Sequence, residues 1–132
     1  LRNSSAASDV YKRQDLHLMM LGSYLLAESS KESIIDSISA LNKSLVINKT
    51  NSYAWYLLAK AYALNDNLAL AQYASAERYY LRRDKPLALN FAKKAIKNID
   101  KDTVEWYRAN DLIQLIIGID EKDNKNKINI NK

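Results

Sequence analysis

His17 is the only histidine of the 132 residues, and cysteine is absent. A zinc-protease helix needs two imidazoles one turn apart with a carboxylate base beside them, and a thiolate metal site or thiol nucleophile needs cysteine. A triad built on His17 would need a nucleophile in a sharp turn, and no G-x-S-x-G is present. Phosphate-cradling loops need more glycine than Gly22 and Gly118 supply. The groups that remain bind rather than react. Tyr53, Tyr56 and Lys60 share one helical face, and Asn90 and Lys94 share another. Phenol, amide and ammonium groups so placed can hold a peptide backbone or a carboxylate. Glu77, Arg78, Tyr79 and Tyr80 form a second dense cluster, which reads as a charged helix surface beside an aromatic packing stripe. Met19 and Met20 read as core filler, and Trp55 and Trp106 as packing anchors.

The elements that must position these groups are helical. Pro86 is the single proline, and strand-rich folds need turn residues every 8 to 12 positions or so. Apolar positions recur at helical spacing in six segments. These lie near Leu16 to Glu28, Glu32 to Ile47, Ser52 to Asn65, Leu68 to Leu81, Pro86 to Asn98 and Thr103 to Ile117. Ser52 is placed to cap the third, Pro86 suits the first turn of the fifth, and Gly118 is a suitable C-terminal cap for the sixth. Residues 118–132 are rich in charge and asparagine without a periodic apolar face, the composition of a disordered polar tail.

Tetratricopeptide repeats step by 34 residues, with Trp, Leu, a small residue and Tyr on a first helix and small residues on the second. Trp55, Leu58, Ala59 and Tyr62 match that first helix, and Ala71 falls where the second must pack closely. Ala88, Ala92 and Ala95 follow the spacing of a second helix, while Ser37, Leu41 and Ser44 hold corresponding places upstream. Ala76 and Tyr79 let the fourth helix serve as either partner, so the register stays open. The expected fold is all-α, about six antiparallel helices stacked as tetratricopeptide-like pairs in a short solenoid over residues 15–117.

Residues 4–14, SSAASDVYKRQ, resemble the in-frame translation of the transposase adapter used to fragment DNA for sequencing. On that resemblance residues 1–14 are non-native and the native chain continues upstream of Asp15. The net charge is +5. Arg2, Lys12 and Arg13 against Asp9 contribute +2 of it, leaving a mild +3 with acids and bases interleaved. That is not the one-sided basic surface of a nucleic-acid binder. No apolar run approaches the roughly 20 residues of a membrane span.

A wider pattern carries a family resemblance. Ala54, Trp55, Leu58, Ala59, Ala61 and Tyr62 are followed by Ala76, Glu77, Arg78 and Leu81, then by Ala88, Ala92 and Ala95. Trp106, Arg108, Ala109 and Asp111 close it. Together they resemble the C-terminal repeat domain of bacterial periplasmic zinc metallopeptidases of the BepA type, over roughly His17 to Leu115. The resemblance implies a non-catalytic module that contacts a peptide or protein substrate or an envelope assembly protein, and that packs on an N-terminal protease domain. Zinc and the HExxH helix belong to that missing domain, and no catalytic or metal-binding residue carries over to this chain. A periplasmic location is implied in the same way. A stand-alone helical-repeat scaffold with no protease attached is the alternative reading.

Overall fold

The computed structural model describes residues 2–131, apart from the side chains of 2–8 and 12. Six helices follow in chain order: α1 (Arg2–Glu28), α2 (Lys31–Ile47), α3 (Ser52–Leu64), α4 (Leu68–Leu81), α5 (Lys85–Asn98) and α6 (Val104–Ile130), with no strand among the described residues. Each packs against the next, and α1 also meets α3 while α4 meets α6. The result is an all-α, solenoid-like stack in which every element is held by near neighbours in sequence.

The junctions make this possible with almost no glycine. Ser29, Asp66, Arg83 and Asp102 take left-handed backbone conformations at φ 60, 56, 63 and 71°. Each stands immediately before the N-cap of the next helix, which is Ser30, Asn67, Asp84 or Thr103. Asn67 N–H donates to the Tyr62 carbonyl and Asp84 N–H to the Tyr79 carbonyl, both at 2.9 Å. One residue thereby satisfies orphan carbonyls behind it and orphan amides ahead of it. Pro86 sits in the first turn of α5 as its fixed φ requires. The cap of α3 is Asn51 rather than Ser52: the Asn51 carboxamide oxygen accepts from the Tyr53 and Ala54 amides.

Two apolar clusters form the core. One gathers Leu26, Leu41, Leu45, Trp55, Leu58 and Tyr73 with Ala74 from α1 to α4. The other gathers Ala76, Ala88, Ala92, Leu112, Ile113 and Ile116 from α4 to α6. Helix α4 is the shared wall, with Ala74 in one cluster and Ala76 in the other. Ala54, Ala61, Ala74, Ala76, Ala88, Ala92, Ala95 and Ala109 are fully shielded. A methyl at each of these positions lets helix backbones approach closely.

Three further sequence-based expectations change. Helix α6 does not stop at Gly118 but runs to Ile130, so the described part of the polar tail is helical. A Cβ at Gly118 would meet nothing within 4 Å. Lys85 pairs with Asp120 and Asp123 at 3.7 Å, and Glu121 and Asp123 each precede a lysine by four residues. Extending a docked helix needs no new nucleus, and such pairs suffice to sustain exposed turns. Residue 132 lies outside the described residues.

Helix α1 likewise begins well before Leu16, taking in the stretch read as adapter. Its described side chains at 9–11, 13 and 14 are all exposed, and Asp15 is the first buried one. The side chains of 4–8 and 12 in SSAASDVYKRQ lie outside the described residues. Met20, expected in the core, is 63% exposed, whereas Met19 packs against it. Successive helix positions point about 100° apart, so two adjacent methionines do not share a face.

Candidate functional site

The dense run Glu77-Arg78-Tyr79-Tyr80 divides between opposite sides of α4. At about 100° per residue, Tyr73, Glu77 and Tyr80 fall on one side and Gln72, Arg78 and Tyr79 on the other. Each side lines a separate cavity.

The first, of about 320 Å³, lies over α3, α4 and α5. Tyr56 and Lys60 line it from α3, Gln72, Arg78 and Tyr79 from α4, and Phe91 from α5. The Arg78 guanidinium lies 4.6 Å from the centroid of the Tyr56 ring and 5.5 Å from that of Tyr79. Tyr79 stacks on Phe91 at 5.5 Å with 8° between planes, and Lys94 Nζ reaches 5.7 Å from the Phe91 ring. At the other end Tyr53 leans on Tyr56 with centroids 5.9 Å apart. Aromatic faces of α3, α4 and α5 alternate with Arg78 and Lys94, each placed where a ring quadrupole attracts it. No acid stands among the lining residues, and the Gln72 carboxamide oxygen is buried without a hydrogen-bond partner.

Of the residues expected to bind, Tyr56 and Lys60 therefore line the cavity, and Tyr53 and Lys94 flank it through Tyr56 and Phe91. Asn90 is exposed on α5 and does not line it. Arg78, Tyr79, Phe91 and Gln72 were not among the expected site residues. Sorting the run at Glu77 by three- and four-residue steps from Tyr56 would not have found them, because the register between α3 and α4 is set by packing.

The second cavity, of about 510 Å³, opens between α2, α3, α4 and α6. Trp55, Tyr73, Tyr80 and Leu112 form its walls, with Lys43, Lys49, Arg108 and Asp111 around it. Trp55 meets Tyr73 edge-on at 5.9 Å and 84°, and its indole N–H donates to the Lys49 carbonyl at 2.9 Å. Tyr73 donates its hydroxyl to Glu77 Oε1 at 2.8 Å.

Burial pushes the Glu77 carboxyl above its ordinary range, against the opposing pull of the Tyr73 hydrogen bond and of Arg108 and Lys49. Tyr73 is raised as well, first by burial and then by the neighbouring carboxylate. A raised carboxyl binds a proton more readily in the folded chain than in the unfolded one. Its contribution to stability is present below the ordinary carboxylate range and is lost as pH rises through the raised value. Glu77→Gln keeps an acceptor for Tyr73 and removes the charge. It is expected to melt higher than the parent at pH 7, with the difference shrinking on acidification towards about pH 4, where carboxylates neutralise. Thermal melts at the two pH values check this, and a lower melting temperature for the variant at pH 7 would mean that the charge stabilises the fold.

His17 is exposed on α1 and Trp106 is half-buried against Tyr107. No helix among the described residues is long and apolar enough to cross a membrane. Compared with protein-family models, with curated proteins and with solved structures, the chain matches none.

Proposed function

We propose that this chain is a helical-repeat module that binds an acidic or carboxylate-bearing peptide segment of a partner or substrate protein across α3, α4 and α5. The observation that carries this reading is the cavity where Lys60 and Arg78 stand among Tyr56, Tyr79 and Phe91 with no lining acid. Such a surface attracts anionic groups and offers flat apolar faces to neighbouring side chains, the two components of peptide recognition. The shielded positions Ala54, Leu58 and Ala61 recur as Ala88, Ala92 and Ala95, the 34-residue step of tetratricopeptide units. This supports α3 and α5 as equivalent first helices, in place of the second-helix spacing read for Ala88, Ala92 and Ala95.

In the same proposal the module is the C-terminal, non-catalytic part of a zinc-dependent metallopeptidase in envelope protein quality control. Two observations support it. Trp55, Glu77, Arg108 and Asp111 of the resemblance, distant in sequence, surround one cavity. Leu16, Met20 and Tyr24 form an exposed apolar stripe on α1, where a further unit of a stack would sit. Among the described residues no three His, Cys, Asp or Glu side chains stand together as a metal site requires. In this reading the zinc belongs to the protease domain that the resemblance implies.

The binding reading is tested by fluorescence anisotropy with a labelled peptide of alternating glutamate and phenylalanine. The double substitution Lys60→Glu, Arg78→Glu is expected to weaken binding by tenfold or more, and added salt to weaken binding to the parent. Equal affinity for parent and variant, or equal binding of the matching lysine–phenylalanine peptide, would overturn it. The parentage is tested by a longer read of the locus. An HExxH about one domain upstream supports it, while an unbroken run of repeats favours a stand-alone scaffold.

A further inference from the structure

The second cavity has no part in the acidic-peptide binding, since it lies on the opposite side of α4 and is lined by different residues. Its size falls within the roughly 300–1,000 Å³ typical of ligand sites. Its chemistry differs from that of the first. Glu77 is the carboxylate on the inner wall, and only one of its oxygens is engaged, by Tyr73. Among the described residues no group donates to Oε2, and the ion pairs found join Lys85 to Asp120 and Asp123, none of them reaching Glu77. Glu77 is half-buried, with Arg108 and Lys49 acting on it from beyond ion-pair distance, and a carboxylate partly withdrawn from water gains more from an incoming cation than a fully exposed one does.

The remaining charges around the cavity are Lys43 and Lys49 from the α2 side and Arg108 and Asp111 from α6. All four are exposed, so solvent and salt screen them. The inner group decides the sign of the occupant. Trp55, Tyr73 and Tyr80 flank the approach to Glu77 with aromatic surface, which suits the apolar stem of a long basic side chain and attracts its charged head. Val46 and Leu115, 73% and 48% exposed, supply apolar area for the residues on either side of it.

We propose that this cavity receives one basic side chain, an arginine or lysine of a partner peptide, with Glu77 as its counter-ion and Trp55, Tyr73 and Tyr80 around its stem. The module then reads two features of a partner: an acidic stretch across α3 to α5, and a single basic residue on the other side of α4. The two sites share no lining side chain, so each is testable without the other.

The probe is a capped, amidated pentapeptide with a central arginine between two leucines and alanine at both ends, titrated against the full chain. Trp106→Phe leaves Trp55 as the single fluorescent indole in the cavity wall. The expected result is a saturable change in Trp55 emission. Affinity should fall roughly tenfold or more when the central arginine becomes norleucine or glutamate, and by a similar factor in Glu77→Gln. The thermal melt of Glu77→Gln shows whether that variant is folded. Arg78→Glu, on the other side of α4, should bind this probe as the parent does even if it no longer binds acidic peptide. Equal affinity of parent and Glu77→Gln overturns the proposal. So does tighter binding of the glutamate peptide, which would assign the cavity to anions held by Arg108, Lys43 and Lys49. Absence of saturable binding by the arginine peptide overturns it as well.

Discussion

Trp55→Ala is expected to lower the stability of the chain by about 3–5 kcal/mol, the usual cost of deleting a buried aromatic side chain. The indole is 8% exposed within the larger apolar cluster. Its edge contact with Tyr73 adds to the area it buries. Its N–H ties the last residues before α3 to the ring through the Lys49 carbonyl. Truncation leaves a void between α3 and α4 and an unpaired carbonyl at once, and the two costs add. For a domain of about 100 residues each 1 kcal/mol lowers the midpoint by roughly 4–8 °C. A natural domain holds only about 5–15 kcal/mol in total, so the variant is expected to be partly unfolded at physiological temperature. Urea denaturation followed by far-ultraviolet dichroism measures the loss. Trp55→Phe separates the two contributions, because it keeps a ring and removes only the donor, at about 1 kcal/mol for the hydrogen bond. A loss below about 1 kcal/mol for Trp55→Ala would show that the stack closes without its anchor.

Gly22→Val is expected to cost about 2–3 kcal/mol through overpacking, at the upper end of such effects. Gly22 is buried where α1 crosses α2, and a Cβ there would stand 2.6 Å from Leu41 Cγ and 2.8 Å from Cδ2. Leu41 is wholly enclosed, so it has no free space into which to turn. The close approach is also held by polar bonds. Ser37 donates its hydroxyl to the Gly22 carbonyl at 2.6 Å, and Ser44 donates to the Asp15 carbonyl at 2.7 Å. Asn48 completes the seam by donating to the Asp15 carboxylate at 3.0 Å. Pushing the helices apart strains all three. Gly22→Ala meets the same neighbour but regains about 1 kcal/mol of helix propensity, so its net effect is expected to be smaller. Combining Gly22→Val with Leu41→Ala should cost less than the sum of the single changes, because the shortened side chain vacates the space that valine needs. Strict additivity in that cycle would mean that the two positions do not meet.

The same seam shows what was legible beforehand. Ser37, Leu41 and Ser44 were recognisable as the packing positions of a helix from their spacing alone. That Ser37 and Ser44 would anchor to two specific carbonyls on α1 was not, because hydrogen bonding across helices depends on their rotation about each other. Tyr56 and Lys60 were likewise legible as exposed groups on one face of α3. Arg78 and Phe91 join them only because α4 and α5 present these residues towards that face. Glu77 was read as surface, since a charged residue beside an arginine on a helix is usually solvated. It is half-buried because α2, α3 and α6 converge around that side of α4.

The amino-acid sequence by itself determined what is local: six helices, the breaks between them, and the stripes of small and large apolar residues. Helix periodicity and capping act within a few neighbouring residues. Only the tertiary structure decided which side of α4 faces which cavity, that α6 continues past Gly118 with Lys85 of α5 paired to it, and that one carboxylate is half-buried beside aromatic rings. Those outcomes depend on the angles and registers at which helices distant in sequence pack, and side chains reaching across such contacts leave no periodic trace in the chain.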